Sequence, residues 1–389
     1  MIPRLLAGKL AEAAGYYPIT TLTGPRQSGK TTLIRSLWPE KGYASLEDPD
    51  SLDFALSDPR SFLEQGGPPG LIIDEAQRAP ALFNYLQGYA DRSPNGRYVV
   101  SGSNNFLLLE KVSQSLAGRS SVFHLLPFSG EELGLAAIPD SWEDLACKGF
   151  YPRVWSQGLP ADRFARDYLA TYVERDLRLA KNIADLAAFR RFLEICAGRT
   201  GQLLNLASLA SDTGIAVNTA RGWLCLLEAA WLVFLLRPWH TNQTKRLVKS
   251  PKLYWHDSSI LCHLLGIRRP ADLRSHPLRG SVFENLLIAE RYKHASHRGE
   301  EPRLHFWRDS VGREVDLLEG EGDDRLLWEY KSGATIARDY FKTLELVGTE
   351  EGIPPERRML VFGGDEAGRR SAGLVIGWRS AIAGKGAEG

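Results

Sequence analysis

Five short apolar runs punctuate the first third of the chain, near residues 19–23 (ITTLT), 43–46, 71–74 (LIID), 98–101 (YVVS) and 122–125. Helical runs separate them, and strands alternating with helices predict a parallel α/β sheet. The punctuation agrees: in DPRSFLEQ, Asp58 is placed to cap a helix whose first residue is Pro59. From about Asp140 to Gly266 the pattern turns helical, with apolar residues three and four apart in YLATYVERDLR and FRRFLEICAGR. A helix, a turn at Gly214 and a second helix from about Val217 to Ala229 then have the proportions of a helix-turn-helix, with WLVFLL as the first strand of a wing. After the linker-like GIRRPADLRSHPLRG the pattern changes again. The amphipathic helix GSVFENLLIAERYKH precedes strands LHFWRD, EVDLLEG and LLWEYKSG, a helix ARDYFKTLELV and a strand RMLVFGG, in the order αβββαβ. Three domains are therefore expected: 1–139, 140–270 and 271–389.

Composition narrows the class. The 389 residues, 43% hydrophobic and 24% charged, suffice for several cores. Lys plus Arg number 48 against 47 for Asp plus Glu, so any nucleic-acid surface has to be a local patch. One such patch stands out, because Ala229 to His256 contain no acid but hold Arg237, Lys245, Arg246, Lys249 and Lys252. The segment 237–252, with Asn218 and Arg221 on the second helix, suits contact with DNA phosphates; the bland alternative is a packing module with a solvated basic loop. Cys147, Cys196, Cys225 and Cys262 lie far apart with no CxxC pair, which argues against zinc and for a reducing compartment. The longest apolar run, Ala229 to Leu236, is too short to span a bilayer, and no signal-peptide pattern opens the chain. A cytoplasmic location and no membrane partner are the expectation.

Between the first apolar run and the helix after it stands GPRQSGKTT, and Gly24, Gly29, Lys30 and Thr31 satisfy GxxxxGK(S/T) in the strand-before, helix-after context that motif needs. This predicts a phosphate-binding loop. The loop Gly24, Pro25, Arg26, Gln27, Ser28, Gly29, Lys30, Thr31 and Thr32 would surround a triphosphate, with the backbone N–H groups of its non-proline residues turned toward the phosphates. Lys30 would reach the β- and γ-phosphates, and Thr31 would hold Mg²⁺. LIIDEAQ supplies the complementary carboxylates: Asp74 for the metal, Glu75 to orient and polarise the attacking water. The next strand ends in Ser101, Ser103, Asn104 and Asn105, and Asn104 is the candidate γ-phosphate sensor. Arg119, after SLAG, is either a surface cap or a finger stabilising charge in transfer. A finger acting in trans requires a homo-oligomer; one acting in cis does not.

A second constellation lies near the C-terminus. Alternation in LLWEYK places Glu329 and Lys331 on one face, and an unpaired buried ion would cost several kcal/mol. Asp316 on the neighbouring hairpin and Glu284 on the preceding helix can join them as metal ligands, with Glu314 able to substitute for Asp316. Carboxylates with a lysine beside them form a divalent-metal site that could activate water at a phosphodiester; the bland reading is a cross-strand ion pair.

With GPRQSGKTTL, YASLEDPD, LIIDEAQ, VSGSNNFLLL followed by SLAGR, YVERDLR, FENLLIAE, GREVDLL and WEYKSG in hand, the chain resembles a family of prokaryotic AAA-type P-loop ATPases. In that family the P-loop domain precedes a winged helix and a C-terminal domain of unknown function with a restriction-endonuclease-like core. The resemblance implies an AAA-like parallel sheet, a winged-helix middle and a C-terminal PD-(D/E)xK α/β domain. It implies ATP and Mg²⁺ as cofactors, catalytic roles for Lys30, Glu75, Arg119, Glu329 and Lys331, and metal ligation by Thr31, Asp74, Glu284, Asp316 and Glu329. The implied function is ATP hydrolysis coupled to DNA binding, with nucleic-acid cleavage or a catalytically silent scaffold in the last domain.

Overall fold

A computed structural model describes residues 2–103, 112, 115–171, 183, 185–239 and 250–384. Asn104, Asn105, the YVERDLR segment, Lys245, Arg246 and Lys249 lie outside the described residues. The chain forms two compact units: Met1–Phe128 with Ala229–Trp231 and Ala295–Glu300, and Ser129–Glu228 with Leu232–His294 and Glu301–Gly389.

The first unit is built on five parallel strands, β1 (Ile19–Thr23), β2 (Gly42–Ser45), β3 (Leu71–Asp74), β4 (Tyr98–Gly102) and β5 (Ser120–His124), in the order β2-β3-β4-β1-β5. Alternate side chains go to opposite faces, and both faces are covered. Ile19, Leu71, Ile73, Tyr98 and Val100 pack with Phe62, Phe83 and Leu86. Leu22, Ile72 and Val99 pack with Leu6, Leu10, Leu33 and Ile34. Burial on both sides explains why these strands read as continuous apolar runs. Because the strands are parallel, their C-terminal ends gather along one edge, which receives the loop after β1, the acids after Ile73 and the serines of β4.

The second unit holds an eight-stranded sheet. Its strands are β6 (Val233–Pro238), β7 (Lys252–Trp255), β8 (Leu304–Arg308), β9 (Glu314–Glu319), β10 (Leu326–Lys331), β11 (Arg358–Phe362), β12 (Gly368–Arg370) and β13 (Gly373–Gly377), in the order β12-β13-β11-β10-β9-β8-β6-β7. Helices Leu206–Thr213 and Val217–Ala229 meet at Gly214, whose φ of 79° lies in the left-handed region a glycine adopts at low cost. The hairpin that follows is not a free wing. β6 pairs with β7 on one side and, through Arg237 and Pro238, with β8 on the other. The order αβββαβ is present from helix Arg279–His297 to β11; the β12–β13 hairpin and helix Trp378–Ile382 come after it.

Helix Arg279–His297 fixes the interior of this unit. Phe283, Leu286, Leu287 and Ile288 are buried, and so is Asn285, whose Oδ1 accepts the Trp255 N–H at 2.7 Å while its Nδ2 donates to the Trp255 carbonyl at 3.1 Å. That pair of bonds locks the helix to β7 and brings Glu284 beside Lys252 and Tyr254.

Candidate functional site

The turn after β1 is shaped by backbone rather than by side chains. Gly24 has φ 144°, and a Cβ there would lie 2.2 Å from the Leu125 carbonyl oxygen, so no larger residue fits without moving β5's continuation. Gly29, at φ 96°, turns the chain into helix Lys30–Leu37. Lys30 is buried, and its Nζ donates to the carbonyls of Gly24 (2.9 Å) and Pro25 (2.8 Å), lying across the concavity it helps to form. Burial lowers its pKa to about 8, against the opposing pull of Glu75 and Asp74.

Thr31 donates to Asp74 Oδ2 at 2.6 Å, Tyr43 donates to the same oxygen at 3.1 Å, and Ser101 donates to Oδ1 at 2.5 Å. Three hydroxyls and one carboxylate therefore meet at the mouth of the loop, and the Thr31 hydroxyl and the Asp74 carboxylate offer an all-oxygen donor pair of the kind Mg²⁺ takes. Thr31 and Asp74 fit that ion. Glu75 follows with φ 54°, and its Oε2 accepts from Ser103 Oγ (2.9 Å) and Gln77 Nε2 (2.5 Å). Strand β4 lies beside β3, which is why Ser101 on it and Ser103 just past its end reach Asp74 and Glu75.

Arg119 is elsewhere. It precedes β5, its carbonyl accepts the Ile19 N–H, and its guanidinium forms a two-bond pair with exposed Asp91 at 2.6 and 3.1 Å. The five residues of β1 separate that end of the sheet from Gly24, roughly 16 Å at strand rise, so the structure does not bring Arg119 to the phosphate loop of its own chain.

Arg4 contributes to the loop from outside any motif. Its guanidinium donates to the carbonyls of Ser28 (2.8 Å) and Leu126 (2.7 Å), tying the loop to the β5 side. No motif marks it, since its contacts are 24 and 122 residues away. Removing two charge-assisted bonds of about 1.5–3 kcal/mol each should loosen the loop. Arg4→Ala is expected to raise the KM for ATP about tenfold or more with a smaller change in kcat, and Arg4→Lys to recover part of it, in steady-state ATPase assays.

In the second unit Glu284, Asp316, Glu329 and Lys331 do come together, with Glu314, Lys252 and Tyr254 among them. Lys331 Nζ donates to Glu329 Oε1 at 2.5 Å. Beyond the β9–β10 pairs Leu326↔Glu319, Leu327↔Leu318 and Trp328↔Leu317, the Tyr330 N–H goes to Asp316 Oδ2 at 2.8 Å, a side chain taking the ladder position. Tyr254 donates to Glu284 Oε1 at 2.5 Å. Burial first, then the Asp316 charge, pushes Glu284 up to about 7 and Glu329 up to about 8.

Lys252 changes the picture. Expected among the phosphate-contacting cations of the basic segment, it is 2% exposed and ion-paired with Glu284 and Glu314, so it belongs to this pocket and not to a DNA-facing surface. Burial disfavours its charge, but the three carboxylates of Glu284, Asp316 and Glu314 outweigh that and raise its pKa. Glu314 is not a free substitute for Asp316, because Arg308 takes its other oxygen at 2.7 Å. Among the described residues no group of three or more His, Cys, Asp or Glu is arranged to hold a metal ion. Lysines are interleaved among the acids, Lys252 between Glu284 and Glu314 and Lys331 against Glu329.

On the helix Val217–Ala229, Asn218 and Arg221 are exposed, as is Arg237 on β6. Among the described residues no helix is long and apolar enough to cross a membrane.

Known families and chains match this sequence along most of its length. An AAA domain model matches residues 16–134, a domain of unknown function (DUF8612) residues 139–271, and another (DUF4143) residues 279–380. The uncharacterized proteins Rv2008c of Mycobacterium tuberculosis and Mb2031c of Mycobacterium bovis are each 34% identical over 316 residues, 80% of this chain and 69% of theirs. Among solved structures, the Walker-type ATPase PABY2304 of Pyrococcus abyssi aligns at TM-score 0.45 and 16% identity, covering 67% of this chain and 94% of that one.

Proposed function

The chain belongs to the family of the mycobacterial proteins Rv2008c and Mb2031c and carries an AAA-type ATPase domain, and from that premise we propose that it is a magnesium-dependent ATP hydrolase acting as a nucleotide-driven switch. The observation that carries this reading is the meeting of Lys30, Thr31 and Asp74 at the C-terminal edge of one parallel sheet, with Glu75 beside them. The loop from Gly24 to Thr32 surrounds the triphosphate, its backbone N–H groups (Pro25 has none) turned toward the phosphates, and Lys30 exchanges the carbonyls of Gly24 and Pro25 for phosphate oxygens. Thr31 and Asp74 would hold Mg²⁺, which would supply charge neutralisation for the triphosphate. Glu75 takes the proton of the attacking water, and Ser103 and Gln77 fix its carboxylate until then. Arg119 reaches a triphosphate only if it belongs to a second copy.

The second unit is the part the switch acts through. Exposed Asn218, Arg221 and Arg237 support contact with DNA, and the αβββαβ order with Glu329 and Lys331 on one face supports a restriction-endonuclease-like scaffold. The interleaved lysines favour a scaffold that binds without cutting. A second reading, cleavage at Glu329 and Lys331, is favoured by Glu329 Oε2, which is buried without a hydrogen-bond partner among the described residues.

Purified full-length protein incubated with DNA and RNA in Mg²⁺ or Mn²⁺, with and without ATP, separates the two. ATP turnover with no strand scission is the expected result. Scission that is lost in Lys331→Ala while ATP turnover persists would establish the cleaving reading instead.

A further inference from the structure

We propose that Lys252 is a tethered cation standing where a restriction-endonuclease-like pocket takes a divalent metal, so that the carboxylates of the second unit are neutralised from within and bind neither Mg²⁺ nor Mn²⁺. The proposal rests on the assignment of this pocket as nuclease-like and on nothing in the ATPase unit.

The position of the ammonium is fixed by backbone on both sides. Lys252 is the first residue of β7; it pairs with Leu236 of β6 on one side and bridges Leu203 on the other. The Leu204 N–H donates to the Pro251 carbonyl at 2.8 Å and the Gly201 N–H to the Leu253 carbonyl at 2.9 Å. Asn285 holds Trp255, three residues on. The side chain is directed inward past Phe306, whose ring centre is 5.5 Å from Nζ.

The acceptors are equally committed. Lys252 Nζ lies 3.4 Å from Glu284 Oε1, the same oxygen that accepts the Tyr254 hydroxyl, and it pairs with Glu314 Oε1. Arg308 takes Glu314 Oε2, Tyr330 N–H takes Asp316 Oδ2, and Lys331 takes Glu329 Oε1. Each of the carboxylates that a metal would need thus already has an oxygen engaged by a protein donor. Gly201, at φ 75°, closes over Glu284, where an added Cβ would stand 3.4 Å from Oε1. A divalent ion entering this space would meet the charge of Lys252 at contact range in a water-poor setting, where repulsion is weakly screened.

The test is Mn²⁺ titration followed by electron paramagnetic resonance. The full-length chain carries Thr31→Ala and Asp74→Ala, so that the phosphate loop contributes no metal site and failure of the ATPase reading cannot alter the result. With Lys252 intact, no Mn²⁺ is expected to bind at millimolar concentration. Adding Lys252→Met is expected to create a single site, tightened at least about a hundredfold by removal of a charge at contact distance, and Asp316→Asn is expected to abolish that site again. Mn²⁺ bound by the Lys252-containing chain and released by Asp316→Asn would overturn the proposal, a reading that needs no Lys252 variant to fold. A Lys252→Met chain with native circular dichroism that gains no Mn²⁺ would overturn it as well.

Discussion

Replacing Lys30 with methionine is expected to cut ATP turnover by at least about 10²–10³-fold, the loss seen when one preorganised charge-stabilising donor is removed from an active site. The same change should stabilise the nucleotide-free chain near neutral pH. Lys30 is buried with its pKa lowered from 10.5 to about 8, and that displacement corresponds to roughly 3 kcal/mol of unfavourable ammonium burial. The sign follows from proton binding. Between pH 8 and 10.5 the unfolded chain holds more protons at this group than the folded one, so the contribution of Lys30 is fully present above 10.5 and is lost as pH falls through 8. Denaturant titrations of Lys30→Met and the unaltered chain should therefore show the variant ahead at pH 7 and the gap closing toward pH 10. For ATP the direction reverses. Phosphate binding needs the ammonium, so affinity should fall as pH rises past about 8.

Glu75→Gln should separate binding from turnover. The amide keeps the size of the carboxylate and can still meet Ser103 and Gln77, but it cannot take a proton from water. Loss of a general base is worth about 10²–10⁴-fold in rate, and the variant should hold unhydrolysed ATP with an affinity close to that of the unaltered chain. Single-turnover hydrolysis beside equilibrium binding checks this; equal losses in both would remove Glu75 from the chemistry and make it a binding residue.

What could be read from the sequence was what is local in it. The phosphate loop spans eight residues between a strand and a helix, and Asp74 and Glu75 close an apolar run, so their positions follow from spacing alone. Tertiary partners do not. Arg4 and Tyr43 act on the loop and on Asp74 across long stretches of chain, with no periodicity to mark them. Lys252 reads as surface because its sequence neighbours are basic and its acids lie 32 or more residues away. The signal that could have found it is KLYW, in which Lys252 and Tyr254 share a face of a strand that is buried throughout. WLVFLL carried a similar message: a free wing alternates apolar and polar, whereas this run is apolar on both faces because successive residues Leu232, Val233 and Phe234, and then Leu236, are all buried. Arg119 follows a helix-ending glycine, as a finger could, but the parallel register sets it at the opposite end of the sheet from Gly24.

The most direct measurement is isothermal titration calorimetry of the full-length chain with a non-hydrolysable ATP analogue in Mg²⁺, set beside Lys30→Met. Saturable uptake by the unaltered chain, weakened at least about a hundredfold in the variant when a charge-assisted contact is lost, is the predicted result. No uptake by the unaltered chain, or equal uptake by both, would contradict the assignment of this loop as a triphosphate site.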